Sequence, residues 1–185
     1  SEGGTCLDTT MGLTPNEGLA MGTRSGSIDP GIFLYLKNQL GWSIEEIDNT
    51  LNKKSGLLGL SQQSSDMRTV SEQAAAGDAK CQLALDVFLH RLMKEIGASI
   101  ASISGVDAIV FSGGIGENAK AIRQAVSQRL SYLGFQIDND LNDANIKNSN
   151  IAGTGSLPIL LVATQEELNI ALHASACLKG AKVYA

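Results

Sequence analysis

The stretch Val110-Phe111-Ser112-Gly113-Gly114-Ile115-Gly116-Glu117-Asn118 constrains this chain more than any other. An apolar run from Ala108 to Phe111 stops at three glycines within four residues, and a helix-like segment from Ala119 to Leu130 follows at once. Strand, glycine turn and helix together let a backbone come close to a phosphate or nucleoside. Glycine has no side chain to block the approach and accepts positive φ. The spacing Gly-Gly-x-Gly is neither the dinucleotide fingerprint Gly-x-Gly-x-x-Gly nor a Walker P-loop, which needs a Lys after its last Gly. It reads as a nucleotide contact of another class.

Strands alternate with helices elsewhere, which predicts an α/β domain with a largely parallel central sheet. Residues 5–10 read as a short strand and residues 11–26 as a Gly- and Thr-rich loop. Asp29-Pro30 opens a helix that runs to Gly41, with Asp as cap and Pro in the first turn. Ser43-Ile44-Glu45-Glu46 is a capping box for a second helix through about Lys54, which Gly56 terminates. A loop over residues 57–65 and a short helix over 66–76 follow. Asp78 then caps a long helix to about Ile103, with Leu85, Phe88, Leu89, Leu92, Met93, Ile96 and Ile100 at helical spacing. Residues 106–111 and 157–163 read as buried strands, and Ile122, Val126 and Leu130 as the inner stripe of a helix. The Asn-rich stretch 138–156 reads as a surface excursion with a short strand at best. Thr164-Gln165-Glu166-Glu167 is a further capping box, opening a helix to about Leu178.

Composition narrows the function. A chain of 185 residues that is 43% hydrophobic can bury a core, and a net charge of −5 argues against a nucleic-acid or acidic-membrane surface. Cys6, Cys81 and Cys177 are odd in number and lack a C-x-x-C pair, so neither a disulfide framework nor a zinc site is expected; the pattern suits a reducing cytoplasm. No apolar run reaches the ~18 residues that a membrane span needs. The start, Ser1-Glu2-Gly3-Gly4, has neither an initiator Met nor a signal peptide and reads as a cut inside a longer protein.

Four groups could carry chemistry. Arg24 sits in a loop of small residues, where a planar fork of donors suits carboxylate or phosphoryl oxygens; alternatively it pairs with Glu17 or Asp29 and pins the loop. Asp66, at a helix start two residues before Arg68, is either a cap or a ribose contact with Arg68 flanking a base. Glu166 and Glu167 follow a strand at a helix N-terminus, favoured by the helix dipole or orienting Mg²⁺ through water. The glycine segment is the fourth. His90 and His173 lie within helices as packing or surface residues.

Together these segments resemble the acetate kinase family, which includes propionate and butyrate kinases. The match rests on Asp8-Thr9-Thr10-Met11-Gly12-Leu13-Thr14-Pro15 with Glu17-Gly18-Leu19, on Met21-Gly22-Thr23-Arg24-Ser25-Gly26 with Ile28-Asp29-Pro30, and on Ser64-Ser65-Asp66-Met67-Arg68. Phe111 to Asn118 and Thr164-Gln165-Glu166-Glu167-Leu168 extend it nearly to the C-terminus. Ser27 stands where many members carry Asp, and Met67 where many carry Phe.

The resemblance implies the C-terminal half of a kinase of about twice this length, with the actin-like, hexokinase-like, Hsp70-like ATPase fold (ribonuclease H-like). Residues 1–185 would be its nucleotide-binding and dimerisation domain. The implied reaction is reversible phosphoryl transfer from ATP to acetate or a similar short-chain carboxylate, giving acyl phosphate and ADP with Mg²⁺. Arg24 would meet the transferring phosphoryl group and the carboxylate. Asp66, Met67 and Arg68 would line the adenosine side, with Met67 packing on the adenine face. Gly113, Gly114, Ile115, Gly116, Glu117 and Asn118 would cradle the nucleotide, and Glu166, with Glu167 as the alternative, would serve the metal. A homodimer is implied too. The competing expectations are a non-catalytic ATP-binding module and a dimerisation module. A Rossmann dehydrogenase fails on glycine spacing and on the lack of an acidic residue about 20 positions further on.

Overall fold

In the computed structural model, which describes Ser1 and residues 3–178, the chain separates into one unit over Ser1–Asp107 and another from Ala108 onward. The first is helical. In α1 (Gly31–Leu40) the Asp29 carboxylate accepts the Gly31 N–H at 2.8 Å, and Gly41 ends the helix at φ +71°. α2 (Ile44–Lys53) carries the expected capping box: Ser43 Oγ accepts from the Glu46 N–H at 3.1 Å and Glu46 Oε2 from the Ser43 N–H at 2.7 Å. α4 (Met67–Ala75) and α5 (Ala79–Ser102) begin on Asp66 and Asp78, each accepting a backbone N–H at 2.8 Å. The core gathers Ile47, Leu51, Leu57, Val70, Cys81, Ala84 and Phe88. Of the expected α5 stripe only Phe88 is buried; the buried face is Cys81, Ala84 and Phe88 in the first half of the helix, and Leu85, Leu89, Leu92, Met93, Ile96 and Ile100 are half-buried.

Two expectations for this unit fail. Residues 6–9 form no strand; the Thr9 and Met11 N–H groups bond instead to the side chains of Asp8 and Thr9, a local alternative to ladder pairing. Gly56 does not terminate α2, which ends at Lys53 with Lys54 as its C-cap. It opens a further helix, α3 (Gly56–Ser61), inside the expected loop. No side chain caps α3. Its Leu57 and Leu58 N–H groups donate to the carbonyls of Met21 and Gly22, at 2.8 and 2.9 Å, so a distant loop supplies the missing cap.

The second unit holds β1 (Ile109–Phe111), α6 (Gly113–Asn118), α7 (Lys120–Arg129), α8 (Asn139–Ala144), β2 (Ser149–Asn150), β3 (Ile159–Leu161) and α9 (Glu166–Leu178). The strand order is β1-β3-β2. β3 is central, parallel to β1 (Phe111 opposite Leu161) and antiparallel to β2 (Asn150 opposite Leu160). Phe111, Ile159 and Leu161 are buried, as is the predicted stripe Ile122, Val126 and Leu130.

The strands are shorter and less enclosed than expected. Val110 is 56% exposed, because a parallel strand is buried on both faces only when helices cover both. Nor is residues 138–156 a mere excursion. It supplies α8, β2 and the buried Ile151 and Asn142. Asn145 and Asn148 adopt positive φ (54° and 57°), which Asn tolerates better than most residues. No helix among the described residues is long and apolar enough to cross a membrane.

Candidate functional site

Arg24 lies on a loop fixed by its own main chain. Its carbonyl accepts from the Met21 N–H at 3.1 Å, Ser25 N–H donates to the Leu51 carbonyl at 2.9 Å, and Ser55 N–H donates to the Thr23 carbonyl at 2.9 Å. Thr23 Oγ1 adds a bond to the Asn52 carbonyl at 2.9 Å, and the α3 bonds from Leu57 and Leu58 complete the set. The guanidinium, half-exposed, forms no ion pair with Glu17 or Asp29 among the described residues. The loop is therefore held by backbone and helix ends, and the Arg24 charge is not needed to pin it.

Asp66 and Arg68 are both exposed, and their charged groups stand 3.7 Å apart. Asp66 Oδ1 accepts the Arg68 N–H at 2.8 Å, so Asp66 is a helix cap and keeps a second oxygen facing that cation. Met67 differs. It is 7% exposed and buried with Val70 on the inner face of α4, so its side chain packs inside the protein and offers no open surface for an adenine.

In the second unit the expected glycine turn is itself a turn of helix, α6. Gly113 sits at φ +72°, a conformation that suits glycine. A β-carbon on Gly113 or Gly114 would meet nothing within 4 Å, whereas one on Gly116 would lie 3.4 Å from the Phe111 backbone. The first two glycines thus face open space, and a β-carbon on the third would make ordinary contact with Phe111. Asn118 Nδ2 donates to the Gly114 carbonyl at 2.9 Å. Glu117 Oε1 accepts two backbone N–H groups, from Gly113 at 3.1 Å and from Thr164 at 3.0 Å. The Thr164 N–H, which the capping box would give to Glu167, goes to Glu117. This bond, more than any other influence, holds the Glu117 carboxyl below its usual range, and nearby Lys147 adds to the effect.

Sequence reasoning missed Arg123 and Lys147. The Arg123 side chain is 0% exposed. Nε donates to Asn142 Oδ1 at 2.8 Å, Nη1 to the Gly116 carbonyl at 2.9 Å, and Nη2 to Asn145 Oδ1 at 2.9 Å and the Asn142 carbonyl at 3.2 Å. All four acceptors are neutral, and burial lowers the pKa of the guanidinium. Lys147 Nζ donates to the Glu117 carbonyl and lies 3.8 Å from Glu117 Oε2. Cations on the last carbonyls of α6 suit the negative end of a helix. One signal was available: Arg123 borders the apolar stripe at Ile122, and the Asn-rich stretch downstream holds three of its four acceptors.

Glu166 lies exposed in the first turn of α9 and forms no ion pair among the described residues. No group of three His, Cys, Asp or Glu residues there could enclose a metal. Two concavities, of about 400 Å³ behind the Arg24 loop and about 250 Å³ beside α7, include none of the predicted site residues. Of the predicted residues, Arg68, Gly114, Asn118 and Glu166 lie exposed, whereas Met67 is buried.

The acetokinase family profile matches residues 1–172. The chain belongs to the acetokinase family. It is 48% identical over 176 residues to the acetate kinase of Natranaerobius thermophilus, covering 95% of this chain and 44% of that protein. Among solved structures it resembles a propionate kinase from Francisella tularensis (50% identity, TM-score 0.81, 89% of this chain and 42% of that one). It also resembles the Porphyromonas gingivalis acetate kinase (37% identity, TM-score 0.83, 91% and 43%). The acetokinase-family chain thus spans less than half the length of the relatives it matches. Its mixed helix–sheet architecture agrees with the ATPase-like α/β fold that the resemblance implied. The matched residues include the Arg24 loop, Asp66 to Arg68, α6 and Glu166.

Proposed function

We propose that this chain is the C-terminal half of an enzyme that reversibly transfers the γ-phosphoryl group of ATP to acetate or a similar short-chain carboxylate, giving an acyl phosphate and ADP. The observation that carries this reading is Arg24, a guanidinium free of its candidate acid partners on a loop held by main-chain bonds, in a chain of the acetokinase family.

The chemistry asks little covalent work of the protein. A carboxylate oxygen forms a bond to the γ-phosphorus while the bond to the β,γ-bridging oxygen breaks, and ADP leaves with that electron pair. No proton must move and no covalent enzyme intermediate is needed. Alignment and neutralisation of charge on the equatorial oxygens are what remain. Arg24 takes the second task, and its planar fork suits both phosphoryl and carboxylate oxygens. Asp66 and Arg68 line the adenosine side, while Met67 supports them from within. Gly113 and Gly114 leave room for the nucleotide, in keeping with the empty space beside each.

A single carboxylate fits Mg²⁺, which is usually held by one or two carboxylates together with substrate phosphates and water. Glu166, or Glu167 beside it, would hold it. Bound there, Mg²⁺ would neutralise phosphate charge. The enzyme would act as a cytoplasmic homodimer, and this segment by itself would be inactive or nearly so. The alternative, a non-catalytic ATP-binding or dimerisation module, gives Arg24 no task.

The test is acyl phosphate formation, trapped with hydroxylamine, by the full-length protein supplied with ATP, Mg²⁺ and acetate, propionate or butyrate. Arg24→Ala should lower kcat by roughly 10³ or more. Absence of acyl phosphate with all three acids, or full turnover by Arg24→Ala, would sink the proposal.

A further inference from the structure

The ladder between β1 and β3 ends at a definite rung, the Val162 N–H donating to the Phe111 carbonyl at 2.9 Å. Beyond it the chains diverge into α6 on one side and the approach to α9 on the other. Each then presents a backbone donor, Gly113 and Thr164, and a single oxygen of Glu117 accepts both, at 3.1 and 3.0 Å. The other oxygen faces Lys147 at 3.8 Å, and the Glu117 side chain is 13% exposed. Lys147 also donates to the Glu117 carbonyl and to Asn118 Oδ1. This carboxylate is occupied on both oxygens by the protein itself, although Glu117 lies within the nucleotide-cradling segment.

We infer that Glu117 is a positioning residue: its carboxylate continues the β1–β3 pairing past the end of the sheet and sets the glycine segment against the strand exit that leads to Glu166. Relative placement of the cradle and the metal-side carboxylate then depends on one shared acceptor, with Lys147 holding that acceptor in place. The functional consequence rests on the carboxylate kinase reading given above; the mechanical link between the two segments does not.

Glu117→Gln keeps an oxygen able to accept both N–H groups but gives up the charge and the oxygen that faces Lys147. Glu117→Ala removes the acceptor. In the full-length protein, Glu117→Ala should raise both the KM for ATP and the Mg²⁺ concentration for half-maximal activity by roughly 10- to 100-fold, the usual effect of losing a supporting partner. Glu117→Gln should shift both constants at least roughly tenfold less than Glu117→Ala does, since it keeps the shared acceptor and loses a partly exposed ion pair. Amide exchange followed by mass spectrometry should show residues 112–116 and 162–166 speeding up together in the Ala variant and neither doing so in the Gln variant. Equal impairment of Gln and Ala would mean that the charge, and not the shared acceptor, carries the role, and would overturn the inference. Exchange that changes in only one segment, or in none, would do the same. A native protein without kinase activity would defeat the kinase reading alone, because the exchange comparison still decides the link. If the Ala variant does not fold, Glu117→Asp, whose shorter side chain cannot span both amides, serves the same comparison.

Discussion

The carbonyl oxygen of Arg24 lies 2.7 Å from where a β-carbon on Gly56 would stand, and Gly56 itself adopts φ +60°. The same β-carbon would come within 2.0 Å of the Met21 carbonyl. Glycine here permits the loop that carries Arg24 to lie directly on the start of α3. The close approach makes possible the bonds from Leu57 and Leu58 to that loop.

Gly56→Ala should therefore destabilise the protein by about 3 kcal/mol or more, combining backbone strain with a clash against main chain that cannot rotate away. Chemical denaturation of the full-length protein measures this. A loss of less than 1 kcal/mol, on the order of an ordinary surface change, would mean that the loop is free to lift off α3.

Gly114→Ala separates stability from binding. Open space surrounds the position, and Gly114 is not at positive φ. Stability should hold or rise by up to ~1 kcal/mol, as expected for Gly replaced at a compatible site. The KM for ATP should rise, because the new methyl group occupies the space assigned to the nucleotide. An unchanged KM would place the nucleotide elsewhere.

Arg123→Met should cost about 3 kcal/mol or more, because the buried oxygens of Asn142 and the half-buried ones of Gly116 and Asn145 lose their donors while the apolar stem is kept. Arg123→Lys should recover only part of the loss, since an ammonium cannot reproduce the planar fork. Denaturation midpoints of the two variants check both statements; a Lys variant as stable as the native protein would contradict the second.

Acid should destabilise the protein through two carboxylates. Asp78 is held below its usual value chiefly by the Cys81 N–H, and Glu117 chiefly by the Thr164 N–H. A carboxyl with a lowered pKa in the folded state contributes stability that is present above its unfolded pKa and is lost as pH falls through the folded one. The melting temperature should stay level from neutral pH toward 5. It should then fall as pH drops below the ordinary values of 3.8 for Asp78 and 4.5 for Glu117. Asp78→Asn should flatten part of that acid limb, and an unaltered limb would remove Asp78 from the account.

What could be read before folding was what neighbours in the chain decide. The caps at Ser43, Asp66 and Asp78 bond to N–H groups two or three residues away, and the stripe Ile122, Val126 and Leu130 repeats at helical spacing, so short windows suffice. The same holds for the glycine segment, whose residue types and spacing mark it within a few positions.

Longer reach defeats such windows. The cap of α3 comes from Met21 and Gly22, three of the four acceptors of Arg123 lie about twenty residues downstream, and Glu117 meets Thr164 at a separation of 47. Met67 has the same local setting as its exposed neighbours Asp66 and Arg68, and only packing turns it inward. Sequence by itself determined α2, α4 and α5 with their caps, the inner stripe of α7, the family and the glycine segment, because backbone propensity and periodicity act over a turn or two. Tertiary structure decided which carboxylate ties two loops, which arginine is buried and which is left unpaired, because those outcomes depend on which donors and acceptors meet once distant segments close on one another.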